Sequence, residues 1–136
     1  MTKNAFALLV SREGDSLELL KSALKNQSIG TWSVGTCEEA SRLVEQTQPE
    51  LVFTDPRLVD GTWLDMANMI EKAPAAVNLI VVGASENANL HAPAMTNGAL
   101  DFIELPFETK SLSNVLQHAV ENVRHRRMAQ ALATVA

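Results

Sequence analysis

Short apolar runs alternate along the chain with longer segments of helical periodicity. The first run, AFALLV at residues 5–10, is bounded by polar residues, as expected for a strand buried on both faces. In the segment that follows, residues 15–27, leucines recur at a spacing that puts them on one face of a helix. The same reasoning predicts further strands at 30–36, 50–54, 78–83 and 100–105, and further helices at 37–48, 62–73, 88–97 and 109–132.

Five strand–helix units in strict alternation predict an α/β fold. Its centre is expected to be a doubly wound, five-stranded parallel sheet flanked by helices, with right-handed crossovers. In such sheets, sites form where loops leave the C-terminal ends of the strands. The loops at these ends are SREGD, DPRLVDG, GASEN and LPFE. The chemistry of the protein should therefore be sought in these four loops.

Two of the predicted helix starts carry a capping signature. Asp15 is followed three residues later by Glu18, and Thr36 by Glu39. In a capping box the side chain of the capping residue accepts a hydrogen bond from the backbone N–H of the third helical residue. The acidic side chain of that third residue in turn accepts one from the backbone N–H of the capping residue. Pro93 must lie in the first turn of the fourth helix or kink it.

Composition narrows the class of protein. The 136 residues carry a net charge of -5, which argues against a nucleic-acid-binding surface over the whole domain. Cys37 is the single cysteine, so an intramolecular disulfide and a thiolate metal cage are excluded. Neither a signal peptide nor the roughly 20 apolar residues of a membrane helix is evident, so the cytoplasm is the expected location.

Three segments together resemble a response-regulator receiver domain of two-component signalling. They are LLVSREGDSLELL, the strand-end Asp55 with the DG that follows it, and NGALDFIELPF. The similarity places a receiver-like domain at residues 1–124 and a C-terminal extension of the last helix at 125–136. It implies the flavodoxin-like receiver topology, in which one aspartate accepts a phosphoryl group and partner binding changes as a result.

The resemblance also implies roles for individual positions near the first and third strands. Asp55 falls on the aspartate that accepts the phosphoryl group. The two acidic residues that normally follow the first strand and hold Mg²⁺ correspond to Ser11 and Arg12, while the neighbouring acid Glu13 is kept. The acidic metal pocket is therefore expected to be degenerate.

Three further positions of the family pattern lie near the fourth and fifth strands. The hydroxyl residue that contacts the phosphoryl oxygen corresponds to Gly83, and the lysine before the last-loop proline corresponds to Leu105. Phe102 matches the aromatic switch position. These substitutions indicate a pseudo-receiver, a variant in which the helpers of the aspartate have been replaced.

Arg12 bears most directly on metal binding. At about 4 Å and an effective dielectric near 20, two unit charges interact by about 4 kcal/mol, and a divalent ion faces roughly twice that repulsion. We therefore expect Mg²⁺ to bind poorly, and no other cofactor. A guanidinium can instead occupy the space of the metal and pair with Asp55, or it can point into solvent. The sequence leaves both alternatives open.

The expected function is a non-enzymatic signal-transduction module that works through protein–protein interaction, with phosphorylation at Asp55 weak or absent. One alternative is a phosphorylatable receiver that uses Asp55 and Glu13 in an atypical Mg²⁺ site. Another is a flavodoxin-like nucleotide or flavin enzyme, although SREGDS holds Gly14 as its single glycine and is no phosphate-binding loop.

The expected partners are signalling proteins, either a histidine kinase or a downstream effector. Neither nucleic acid nor a membrane is expected to bind this domain. Met128 and Leu132 continue an apolar stripe along the last helix beyond the predicted domain. A homodimer through this helix is therefore a further alternative.

Overall fold

The structure, a computed structural model, describes residues 5–12 and 17–135. Its strands are β1 (Ala5–Val10), β2 (Ile29–Val34), β3 (Leu51–Thr54), β4 (Arg57–Leu58), β5 (Gly61–Thr62), β6 (Asn78–Ala84) and β7 (Asp101–Leu105). Its α-helices are α1 (Glu18–Asn26), α2 (Cys37–Thr47), α3 (Trp63–Glu71), α4 (His91–Thr96) and α5 (Thr109–Val135), and a 3-10 helix spans Ser85–Leu90.

The central sheet has five parallel strands in the order β2-β1-β3-β6-β7. The chain moves outward from β1 to β2 and then crosses back to β3 on the other side, which is the doubly wound arrangement. All four residues of the central strand β3 are buried. The predicted fold class is therefore confirmed, and the carboxyl ends of its strands meet at one edge of the sheet.

The core lies on both faces of the sheet. Alternate residues of a strand point to opposite faces, so Ala7 and Leu9 pack with α1 and α5 while Leu8 and Val10 pack with α2 and α3. Burial on both faces explains why β1 reads as a continuous apolar run rather than as an alternating one.

The predicted elements are present, with shifted boundaries at some ends. The second strand begins at Ile29, and the last helix ends at Val135 rather than near residue 132. Pro93 is the third residue of α4, within its first turn, where its missing N–H is tolerated. The antiparallel β4–β5 hairpin was not predicted, because two residues per strand are too few to form a pattern.

Two helices begin at capped residues. The Thr36 hydroxyl accepts a hydrogen bond from the backbone N–H of Glu39 at 3.1 Å, which confirms the predicted start of α2. Thr62 caps α3 in a capping box with Asp65, whose carboxylate accepts from the Thr62 N–H at 2.9 Å. The predicted cap at Asp15 lies outside the described residues.

Arg127 fastens the extension of α5 to the amino edge of the sheet. Its Nε donates to the carbonyl of Ala76 at 2.8 Å, and its Nη2 donates to the carbonyls of Gln48 and Pro49 at 3.0 and 2.8 Å. One turn further on, the Gln130 amide oxygen accepts from the N–H of Ala76 at 3.0 Å. Residues beyond 124 therefore contact the body of the domain.

Asn78, the first residue of β6, is a buried polar side chain in the same region. Its Nδ2 donates to the carbonyl of Ala119 at 2.8 Å and to the Asn122 amide oxygen at 3.0 Å. Its Oδ1 accepts from Arg126 Nη1 at 2.7 Å. This network joins the start of β6 to two successive turns of α5.

Across the described part of the chain, none of the helices combines the length and apolarity needed to span a membrane.

Candidate functional site

Asp55 follows β3 directly, at the carboxyl edge of the sheet, where it is half-buried. Its backbone N–H donates to the carbonyl of Val10 at 3.0 Å, which extends the β1–β3 ladder by one residue. Two donors converge on its carboxylate oxygen Oδ2, namely the Ser11 hydroxyl and the backbone N–H of Arg12, each at 3.0 Å. The structure thus brings together Ser11, Arg12 and Asp55, while Glu13 lies outside the described residues.

Arg12 reaches the Asp55 carboxylate through its backbone. The side chain of Arg12 is exposed and lies on the rim of an open cleft beside Asp55. The hypothesised pair between the guanidinium and the carboxylate is therefore not the contact that the structure shows between these two residues. Solvation of the long side chain is the physical reason, since its charged end reaches water from this position.

The resemblance implies a Mg²⁺ ion at this carboxylate. Within residues 5–12 and 17–135, no group of three His, Cys, Asp or Glu side chains is placed to hold a metal ion. At one of the two acidic positions, Ser11 donates a hydrogen bond to Asp55 instead of offering a second negative charge. Because Mg²⁺ is usually held by carboxylates and waters in a near-octahedral shell, the described residues do not by themselves fit this ion.

Gly83 lies near the end of β6 and is buried. A Cβ added there would be 3.0 Å from the Cζ of Phe102 and 3.0 Å from the Cβ of Asn87. Phe102 is itself only 7% exposed, so its ring fills the space beside the glycine. Asn87 is held in place because its amide oxygen accepts from the N–H of Ala84 at 3.1 Å.

Two more residues belong to this region of the structure, Leu105 at the end of β7 and His91 at the start of α4. Leu105 is half-buried and packs against the core cluster on the α1 and α5 face of the sheet. An apolar side chain packed in this way supplies no cation to the carboxyl edge. The ring of His91, at the start of α4, stacks on Phe102 with centroids 5.9 Å apart, and its Nε2 lies 4.0 Å from Asp101 Oδ1.

Asp60, in the turn of the β4–β5 hairpin, anchors the start of α2. Its two carboxylate oxygens accept from the backbone N–H groups of Cys37 and Glu38 at 2.7 and 3.1 Å. These hydrogen bonds, of which the one from the Cys37 N–H has the largest effect, hold the pKa of Asp60 below its ordinary value of 3.8. Burial, and then the charge of Asp60, raise the pKa of the Cys37 thiol to about 11.

The glycine after Asp60 is required by the same close packing. A Cβ at Gly61 would be 2.6 Å from the Asp65 carboxylate oxygen Oδ2 and 3.0 Å from the Cys37 sulfur. The DG pair was recognised in the sequence as part of the family pattern, but its role in joining the hairpin to α2 was not predicted. Asn87 was missed altogether, since no sequence signal connects it with residue 83.

Known proteins share the sequence pattern and the fold of this chain. The model of the response regulator receiver domain family matches residues 7–117. The chain is 29% identical over 114 residues to the response regulator protein PilR of Pseudomonas aeruginosa, which covers 84% of this chain and 26% of PilR. The chain thus spans about a quarter of the length of that relative.

Solved receiver structures have the same fold. The receiver domain of NtrX from Brucella abortus is 28% identical with a TM-score of 0.75, over 85% of this chain and 98% of that domain. A signal receiver domain of a LuxO-type protein from Vibrio parahaemolyticus reaches a TM-score of 0.81 at 21% identity, over 93% and 98% of the two chains, which is a likeness of fold. Because the family model matches most of its length, the chain belongs to the response regulator receiver domain family.

Proposed function

We propose that this receiver domain is a pseudo-receiver, which signals through protein–protein contacts and whose Asp55 is phosphorylated weakly or not at all. The carrying observation is the pair of hydrogen bonds that Ser11 and the Arg12 backbone donate to Asp55 Oδ2. An oxygen that accepts two protein donors is stabilised in its resting state. Because the two carboxylate oxygens share one negative charge, donors on Oδ2 also lower the nucleophilicity of Oδ1 toward a phosphorus atom.

The surroundings of Asp55 support the same proposal. Phosphoryl transfer depends on positioning and on neutralising the charge of the phosphoryl oxygens. Gly83 offers no hydroxyl for this purpose, and Leu105 offers no cation. The described residues also provide a poor shell for Mg²⁺, which supports a module that works without that cofactor. We further propose that the module is not an enzyme.

The proposed partners are signalling proteins, either a histidine kinase or an effector, that dock on the folded domain. A second copy is also proposed as a partner through α5. Met128 and Leu132, four residues apart on this helix, are 65% and 66% exposed. Such a pair forms an apolar stripe that a helix of a second copy can cover. In light scattering, Leu132→Glu should convert a dimer to a monomer, whereas a wild-type monomer would contradict this part of the proposal.

Phosphorylation is tested by intact mass. The protein is incubated with Mg²⁺ and acetyl phosphate, beside an Asp55→Asn control that retains the shape of the side chain. We expect no phosphoryl adduct, or a minor one, on the wild-type chain. A stoichiometric adduct that is lost in Asp55→Asn would refute the proposal in favour of a phosphorylatable receiver with an atypical metal site.

A further inference from the structure

A cleft of about 610 Å³ opens beside Asp55, between the start of α3 and the 3-10 helix Ser85–Leu90. Its volume falls in the range of roughly 300 to 1,000 Å³ that small-molecule sites occupy. A phosphoryl group next to Asp55 would fill only a small part of it. The cleft can therefore hold a ligand of several rings.

Two of the residues that line the cleft are basic. Arg12 and Arg57 both line it, and both side chains are exposed. Asp55 is the one acidic residue among the described lining residues, so the two arginines leave a net charge of +1 (two positive minus one negative). The two donors on Asp55 Oδ2 further reduce the negative potential that this carboxylate presents. The two arginines suit an anionic group, which a guanidinium can bind in a bidentate manner.

Three other lining residues of the cleft carry large apolar side chains. Trp63 is half-buried against the core, and it lines the cleft together with Leu64 and Leu90. The Trp63 backbone N–H donates to the carbonyl of Pro56 at 3.0 Å, which fixes the start of α3 against the loop after Asp55. Leu64 remains 40% exposed. Aromatic rings favour stacking on such a surface.

We propose that this cleft binds, without covalent chemistry, a small molecule that joins flat aromatic rings to an anionic group. The anion lies at Arg12 and Arg57, and the rings lie against Trp63 and Leu64. This inference rests on the proposed function, because it supplies a pseudo-receiver with an input other than phosphorylation. Binding is measured separately from phosphorylation, so each of the two proposals can fail while the other holds.

The probe is 1-anilinonaphthalene-8-sulfonate, whose flat rings carry one sulfonate. The chain has two tryptophans, Trp32 and Trp63, so two indole N–H signals appear in a nitrogen–proton correlation spectrum and Trp32→Phe assigns them. We expect the Trp63 signal to shift saturably below about 1 mM probe. The signal of Trp32, on the edge strand β2, should remain in place and thus also report an intact fold.

The proposal requires that binding of the probe depend on the charge of the cleft arginines and on the charge of the probe. Arg57→Gln and Arg12→Gln should each weaken binding of the probe about tenfold, because each removes a charge-assisted contact. Arg12→Gln keeps the backbone N–H that donates to Asp55. The matched control Arg42→Gln, on the exposed face of α2, should bind as the wild type does. The uncharged analogue N-phenyl-1-naphthylamine should bind about tenfold more weakly. The proposal is overturned if Trp63 does not respond, if neither cleft arginine matters, or if the uncharged analogue binds equally well.

Discussion

The ring of Phe102 lies in tight contact with the place where a side chain at Gly83 would begin, since a Cβ at Gly83 would be 3.0 Å from the Phe102 Cζ. Real Cβ atoms essentially never approach a neighbour more closely than this. The glycine and the buried ring are therefore a single packing arrangement. A side chain at residue 83 would therefore require Phe102 or Asn87 to move by a few tenths of an ångström.

Replacing the glycine tests this arrangement. Gly83→Ser should lower the free energy of unfolding by about 1–3 kcal/mol, because an extra side chain in a filled core forces its neighbours to move. Urea denaturation measures the change. Gly30→Ser is the matched control, because its Cβ would be 3.8 Å from the nearest side-chain atom, in Phe6, on the edge strand. Equal losses in the two variants would contradict the close packing at residue 83.

Ser11 offers a test of the metal site. Ser11→Asp replaces a donor with a second carboxylate beside Asp55, so without metal the variant should be less stable by about 2 kcal/mol. Mg²⁺ should raise the melting temperature of this variant and leave that of the wild type unchanged. Adding Asp55→Asn to the variant should remove the response. A wild-type protein that Mg²⁺ stabilises to the same extent would show that the present residues already hold the ion.

Cys37 should react slowly with thiol reagents. Its pKa is raised from 9.0 to about 11, so near pH 8 it carries about 100-fold less thiolate than an ordinary cysteine. The stabilisation linked to this raised pKa is fully present below pH 9 and is lost as the pH rises toward 11. Iodoacetamide alkylation of the native and the urea-unfolded chain measures the ratio. Asp60→Asn should accelerate the native reaction, and equal native and unfolded rates would refute the expectation.

Asp60 should contribute to stability in a pH-dependent way. Its pKa is lowered in the fold, chiefly by the Cys37 N–H, so its stabilising effect is present above the ordinary value of 3.8 and is lost as the pH falls through the folded-state pKa. Urea midpoints of the wild type and of Asp60→Asn, measured between neutral pH and about pH 2, report this effect. The two midpoints should differ at neutral pH and converge in acid. A difference that is constant with pH would exclude the carboxylate as its source.

The contacts of Arg127 predict a stable helix extension. Arg127→Met keeps much of the side-chain volume and removes three hydrogen bonds to carbonyl groups, so the free energy of unfolding should fall by about 2 kcal/mol. Lys110→Met, at an exposed position in the first turn of the same helix, is the control and should change stability by less than about 0.5 kcal/mol. If both variants unfold at the same urea concentration, the extension is not held as described.

Local patterns in the sequence accounted for the order and type of the main elements. The apolar run of β1 and the leucine spacing of α1 depend on which face of an element is buried, and that periodicity is written in neighbouring residues. Thr36 and Glu39 likewise form a cap within one helical turn. Asp55 could be placed at the carboxyl edge because a parallel sheet brings its strand ends together.

Only the tertiary structure decided which groups contact Asp55, Gly83 and the end of α5. The Arg12 N–H reaches Asp55 across 43 residues of sequence, and Arg127 reaches Gln48 across 79. Contacts of this kind depend on side-chain rotamers and on the packing of elements that meet only in the folded chain. The sequence by itself therefore determined the scaffold and the position of the carboxylate, while the fold decided that a carboxylate oxygen of Asp55 accepts two hydrogen bonds and that Phe102 packs tightly beside Gly83.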